Sequence, residues 1–330
     1  MGVRYDHRRE RCKGRIALRR MRPFRFGVNA RTVDGAAQWA ERARTLEDVG
    51  YATLNLPDHL APMLAPMPAL AAAAAATRRL RVGTMVINND FRHPVLLARE
   101  AATLDLLSGG RLEVGIGAGH MKSEYDEAGL AFERGGIRVA RLAEAVAILK
   151  GLLAGESVTF HGEHYRVTGH MIHPRPIQRP RPPILIGGNG PRLLTLAAAE
   201  ADIVGLTGIT FAGGGLAPDL SGFRAAAVDE RMRLVRQAAG ARMDQLELSA
   251  LLQRVIVTDD RRAAAEELCR RWTALSVEDI LGSPFVLLGT MDEIEADLLA
   301  RRRRWGLSYY VVQEPWADAL TPVVARLAGQ

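Results

Sequence analysis

Arg111-Leu-Glu-Val-Gly-Ile-Gly-Ala-Gly-His-Met-Lys-Ser-Glu-Tyr125 is the stretch on which the reading of this chain turns. Leu112, Val114 and Ile116 alternate with Glu113, Gly115 and Gly117, the two-residue period of a β-strand. Gly115, Gly117 and Gly119 then remove the side chains where the strand ends, so a flat ligand can approach the backbone. Polar residues follow: His120, Lys122, Ser123, Glu124 and Tyr125. Barrels of alternating strands and helices place their chemistry where a parallel strand opens into such a loop. The stretch is no dinucleotide fingerprint, because His120 stands where Gly-x-Gly-x-x-Gly needs its last glycine. It is no phosphate-binding P-loop either, since Gly-Lys-Ser/Thr occurs nowhere in the chain. The pattern alone leaves two readings open, a ligand site or a barrel strand with small residues for packing.

Outward from this strand, strand and helix signals alternate in both directions. Upstream, strands are expected at Phe24 to Val28, Tyr51 to Leu56 and Leu80 to Ile87. Between them lie a helix capped by Asp34 and stopped by Gly50, an alanine-rich helix from Pro66, and a helix from Pro94 to Ser108 closed by Gly109-Gly110. Downstream, the next good helical pattern runs from Gly136 to Leu153. Residues 154–183 break the rhythm with a hairpin signal around Val158 to Val167, and an insertion of that length reads as a lid or binding loop. Strands are then expected at Ile184 to Ile186, Asp202 to Leu206, Leu246 to Val257 and Ser308 to Gln313, with helices between them and one closing the chain. A second flexible loop is expected at Gly208 to Gly222, and Pro284 to Leu288 is a short apolar stretch. About eight βα units with strands apolar on both sides favour a (β/α)8 barrel over a doubly wound open sheet.

The 330 residues suffice for one large domain, and 48% of them are apolar. No apolar run is long enough to span a membrane. Cys12 and Cys269 are the only cysteines, which is neither a disulfide framework nor a zinc site and suits a reducing compartment. The net charge of +7 is concentrated: residues 1–20 carry eight Arg or Lys and two acids. The remainder is close to neutral, so charge makes no case for nucleic acid. The basic segment lacks periodicity and reads as a disordered extension ahead of a start at Met21, the alternative being a tail that touches nucleic acid or an acidic surface.

Several strand ends carry motifs in a particular order: Leu56-Pro-Asp-His59, Gly83-Thr-Met-Val-Ile-Asn88, His93-Pro94, and Ala102 to Arg111. Gly115 to His120, Ser123-Glu-Tyr125 and Ile186-Gly-Gly-Asn-Gly190 continue it. Together, from about Phe24 to Gly329, the chain resembles the bacterial luciferase-like flavin and deazaflavin oxidoreductases. It is most similar to the branch that uses coenzyme F-420, a deazaflavin with a phosphate and an acidic tail. The resemblance implies an α/β fold, a single (β/α)8 TIM barrel over residues 21–330 with insertion loops, and a ring lying across its C-terminal mouth. It further implies a bulge behind the ring with a cis bond at Met85-Val86, and cofactor contacts from Met85, Val86, Asn88, Gly117, Gly119, His120, Ser123, Gly187, Gly188, Asn189 and Gly190. Many members have Trp or Glu where this chain has His120, so that wall departs from the family pattern.

The residues add their own readings. The glycine turn at 187–190 opens a helix and is either an anion site or simply a tight turn. Asp58 and His59 end the second strand on the face where barrels react; as a bare pattern they also fit a helix cap and a solvated histidine. The resemblance assigns them the catalytic role. Glu113 reads as a structural ion-pair partner in the lumen. His161, His164, His170 and His173 have no metal-ligand spacing, so no metal is expected and a substrate lid is preferred. The run Arg301 to Arg304 reads as a solvated face. The expected activity is hydride transfer between reduced F-420 and a small organic substrate. The alternatives are a monooxygenase using reduced FMN and oxygen, or a cofactor-binding protein without catalysis. A cytoplasmic homodimer, with no nucleic-acid or membrane partner, completes the expectation.

Overall fold

The structure, a computed structural model, describes residues 21–211 and 218–330. The chain begins with β1 (Arg25–Asn29), α1 (Ala36–Val49), β2 (Thr53–Leu56), α2 (Pro66–Ala76), β3 (Arg81–Thr84), β4 (Ile87–Asn88) and α3 (Pro94–Leu107). It continues with β5 (Leu112–Gly117), α4 (Lys122–Glu127), α5 (Gly135–Leu153), β6 (Val158–His161), β7 (Arg166–His170), β8 (Ile184–Gly187), α6 (Pro191–Glu200) and β9 (Ile203–Leu206). It ends with α7 (Ala225–Ala239), β10 (Glu247–Leu252), β11 (Arg254–Val257), α8 (Arg261–Arg271), α9 (Val277–Gly282), β12 (Val286–Gly289), α10 (Met291–Trp305), β13 (Leu307–Gln313) and α11 (Ala317–Leu327).

The parallel strands close in the order β1, β2, β3 with β4, β5, β8, β9, β10, β13 and back to β1, so the molecule is a closed TIM barrel and not an open sheet. The seam pairs Arg25 with Tyr309 through Asn29 with Gln313. Strands buried on both faces explain the near-continuous apolar runs in the sequence, such as Ile184-Leu-Ile186. The third barrel strand is interrupted between β3 and β4 by the cis peptide Met85-Val86. Phe24 and the last residues clasp each other, Phe24 N–H to Gln330 O and Gly329 N–H to Phe24 O, both at 3.0 Å.

Charge closes the N-terminal end of the lumen. Glu113 receives Arg25 Nη1 at 2.7 Å and Arg81 Nε at 2.6 Å, and Arg25 also pairs with Glu247 at 2.7 Å. The Arg25 guanidinium lies 4.2 Å from the centre of the Tyr309 ring. Burial alone would push Glu113 up, but the two arginines outweigh it and hold the carboxyl below its ordinary range. Above this layer, Leu185, Ile203, Tyr309 and Val311 pack with Met85, Val86 and Leu251 to fill the lumen. Glu113 is thus an ion-pair partner and takes no part in the mouth.

Several expectations change. Asp34 does not cap α1: Gly35 holds that position in extended backbone, and Asp34 N–H instead donates to Gln38 Oε1 at 2.9 Å. The strand expected at Leu246 to Val257 breaks at Gln253, and its second part pairs with β12, which the short apolar stretch at Pro284 to Leu288 forms in part. Arg301 is not solvated. It is 6% exposed, and Arg302 lies over the Phe24 ring at 4.0 Å, so the arginine run wraps a core edge with only its last members in water. The basic extension at residues 1–20 and the centre of the loop at 208–222 lie outside the described residues.

Residues 154–183 form a strap along the outside of α3 and α5. Glu144 on α5 accepts the N–H groups of Glu163, His164 and Tyr165 at 2.8 to 3.0 Å. Asp105 on α3, fully buried, accepts those of Ile177 at 2.7 Å and Gln178 at 3.0 Å. Two carboxylates therefore replace the sheet partners that the irregular backbone lacks. Among the described residues no three His, Cys, Asp or Glu side chains gather as a metal site, and no helix is long and apolar enough to cross a membrane.

Candidate active site

A cavity of about 850 Å³ opens at the C-terminal ends of the barrel strands. Asp58, His59, Met85, Val86, Asn88, Gly117, Gly119, His120 and all four residues of the turn at 187–190 line it. Ser123 is not among its lining residues, nor is any residue of 154–183, so the segment expected to be a lid forms none of its wall.

The glycines of β5 make the close approach possible. A Cβ on Gly115 would run into the Thr84 carbonyl oxygen, and one on Gly117 would come within 2.8 Å of Val86 Cγ2. Thr84 uses that proximity: its hydroxyl donates to Gly115 O at 2.7 Å and accepts Gly115 N–H at 2.8 Å. The strand after Thr84 thus bulges over bare backbone, and Met85 and Val86 form a wall of the cavity. Gly119 has φ of 71°, which a side chain would strain, and its missing Cβ leaves room for the Tyr125 hydroxyl. That hydroxyl lies 3.0 Å from both Asn88 Oδ1 and Asp90 Oδ2, so α4 is pinned to β4.

His59 faces Glu124. Its Nδ1 lies 2.9 Å from Oε1 and 3.1 Å from Oε2 of a carboxylate that is 4% exposed. With Nδ1 engaged, Nε2 is the nitrogen left for a ligand. Asp58 is otherwise occupied: it accepts Asn88 N–H at 3.1 Å and Arg92 Nη2 at 3.2 Å. It ties the loop after β2 to the strand after the bulge. The His120 ring stacks on Phe211 with centroids 4.9 Å apart and meets His59 edge-on at 5.3 Å. Burial, aided by the neighbouring His59 and Arg138, pushes His120 down to about 4, so it is neutral at pH 7.

The other end of the cavity suits an anion. The N-termini of α5, at Gly135 and Gly136, and of α6, at Gly190 and Pro191, both line it. First-turn N–H groups there have no intrahelical acceptors. The Arg192 guanidinium lies against Gly136, where an added Cβ would come within 2.6 Å of Nη1. Gly188 N–H is spent on Gly205 O at 3.0 Å, while Asn189 Nδ2 is tied to Thr207 Oγ1 at 2.8 Å and Ile209 O at 2.6 Å. Asn189 therefore fixes the turn. The sequence reading missed Glu124, Arg138, Arg192 and the start of α5. Glu124 stood inside a quoted motif, and the short helix that aims it, α4, was not foreseen.

Residues 21–305 match the family described as "Luciferase-like monooxygenase". An F-420-dependent glucose-6-phosphate dehydrogenase of Nakamurella multipartita is 33% identical over 290 residues, covering 84% of this chain and 79% of that protein. An FMNH2-dependent dimethylsulfone monooxygenase of Pseudomonas putida is 32% identical over 131 residues, covering 40% of this chain and 36% of that protein. Among solved structures, the F-420-dependent tetrahydromethanopterin reductase of Methanopyrus kandleri superposes with a TM-score of 0.73 at 20% identity, covering 93% of this chain and 98% of that one.

Proposed function

The chain belongs to the luciferase-like monooxygenase family, and on that premise we propose that it is an F-420-dependent oxidoreductase transferring hydride between the deazaflavin and a small organic substrate. The observation that carries the proposal is one cavity that holds the bulge at Met85-Val86, the His59–Glu124 pair and two helix N-termini. The similarity over 84% of the chain to an F-420-dependent relative favours the deazaflavin over FMN.

The residues present fit such a cofactor. Val86, Leu185 and the bare backbone of Gly117 and Gly187 offer a flat, apolar bed, and the corner at Gly136, Gly190 and Arg192 offers the donors a phosphate needs. When bound, the deazaflavin supplies a carbon that exchanges hydride and reacts poorly with oxygen. The protein's part is the proton and the geometry. His59 Nε2 takes the proton of a substrate hydroxyl, or returns one to a carbonyl oxygen, while Glu124 keeps the imidazole oriented and balances its charge. Neutral His120 and Phe211 wall that corner against water.

A fluorescence titration with F-420 and FMN tests the proposal directly. Tighter binding of F-420, and turnover whose rate is the same with and without oxygen, is the expected result. Tighter FMN binding with an absolute oxygen requirement would make the protein a monooxygenase instead. Binding without turnover of any substrate would leave it a cofactor carrier. The reading includes a cytoplasmic homodimer. Two cysteines in 330 residues support the reducing compartment, and the exposed Leu96, Leu106 and Leu107 along α3 support a second copy.

A further inference from the structure

If the cofactor takes the side of the mouth described above, the substrate is left with the arc from β2 through β1 and β13 to β10. The chemistry of that arc is uniform. Asn29 ends β1 and pairs in register with Gln313, which ends β13. Leu252 pairs with Val312, which brings Gln253 level with Gln313 on the neighbouring strand. All three carboxamides line the cavity, beside His59 at the end of β2. Asn29 Nδ2 donates to Gln313 Oε1 at 3.3 Å, yet Asn29 Oδ1 has no partner although the residue is 2% exposed. A buried acceptor without a donor is unfavourable and is relieved when a ligand hydroxyl or N–H meets it.

Buried positive charge lies elsewhere in the cavity. The cations among its described lining residues are Arg31, Arg138 and Arg192, with no lysine. Arg138 is buried and committed, Nε to Ala118 O at 3.1 Å and Nη2 to Gly119 O at 3.4 Å. Arg192 belongs to the helix corner, and Arg31 is exposed. Two carboxylates, Asp58 and Glu124, flank His59. A phosphate brought to the carboxamide arc would meet neutral amides and nearby carboxylates, without the paired donors that a desolvated dianion requires. Met63, Ala61 and Leu251 add apolar wall.

We infer that the substrate of this site is an uncharged alcohol or carbonyl compound carrying a second hydrogen-bonding group for Asn29 and Gln313, and not a phosphate ester. The inference rests on the proposed function for the placing of the cofactor, and it separates this chain from the relative named for glucose 6-phosphate. The test is calorimetric titration of the F-420-loaded protein with matched pairs: glucose and glucose 6-phosphate, glycerol and glycerol 3-phosphate, cyclohexanol and cyclohexyl phosphate. At least one neutral member should bind tenfold or more tightly than its phosphorylated partner. Asn29→Leu should abolish that advantage while the affinity for F-420 stays unchanged, with Gln313→Leu as the second variant should the first fail to fold. Tighter binding of the phosphorylated members, binding of no neutral member, or indifference of neutral binding to both variants would overturn the inference. Failure to bind F-420 would instead sink the cofactor reading, and the same pairs would then be titrated into the FMN-loaded protein.

Discussion

At the scale of the residue, the division of labour between His59, Glu124 and His120 leads to distinct expectations. His59→Ala should lower kcat by about 10²–10⁴ and leave F-420 affinity nearly unchanged, because one imidazole is a small part of the ring's contact surface. Equal losses in rate and affinity, compared by stopped-flow and fluorescence titration, would make His59 a binding residue. Glu124→Gln should give a smaller loss and shift the pH profile of kcat, since it acts through the imidazole; a loss without a change of profile would mark it as merely structural. His120 is predicted to show itself in stability. Its folded-state value of about 4 lies below the unfolded value near 6.5, so the unfolded chain binds the extra proton first. Its contribution is therefore complete above about pH 6.5 and is lost as pH falls toward 4. Urea melts of His120→Gln should lose less stability over that window than those of the parent. These roles were only partly legible in the sequence. His59 stood at a strand end, where the fold reacts, but Glu124 is aimed by a six-residue helix too short to leave a periodic signal. The carboxamides of Asn29 and Gln313 come together through the seam between the first and last strands, and no local pattern reports a contact across 284 positions.

At the scale of the element, the β-strands and long helices were readable because burial on both faces forces apolar runs and because glycine and proline mark the ends. Gly50 with φ of 97° stops α1, and Pro66, Pro94 and Pro191 open their helices as expected. What escaped was decided by tertiary partners. The strap at 154–183 is held by Glu144 and Asp105, residues of other elements, so its composition suggested a lid although its anchors lie on the barrel's flank. Two consequences follow for the elements that shape the cavity. Gly115→Ala forces a methyl into the Thr84 carbonyl, and should cost about 1–3 kcal/mol in urea melts while displacing the bulge and weakening cofactor binding. An alanine tolerated without either change would mean that β3 and β5 are not locked by this contact. Arg192→Ala should weaken F-420 binding by about tenfold or more, the order expected for losing a charge-assisted hydrogen bond; unchanged affinity would place the phosphate away from the start of α6.

At the scale of the whole molecule, the first and last strands are neighbours, and Phe24 is clasped by the final residues. The barrel is thus closed by segments that begin after residue 21, and removal of residues 1–20 should leave the melting temperature and F-420 affinity unchanged. A large drop in either would make the basic segment part of the fold. Light scattering should show a dimer, and Leu106→Glu with Leu107→Glu should shift it toward monomer if α3 carries the interface. The packed floor of Arg25, Arg81, Glu113 and Glu247, with the aromatic and aliphatic layer above it, has a bearing on traffic. A vessel sealed at the bottom is entered from its mouth, which cofactor, substrate and product would share. Whichever guest lies against the back wall has to arrive first and depart last. With the ring seated on the bulge, substrate should bind the loaded protein and not the empty one, and product should leave while the cofactor stays behind. Equal substrate affinity for empty and loaded protein would mean that the two guests do not share a passage.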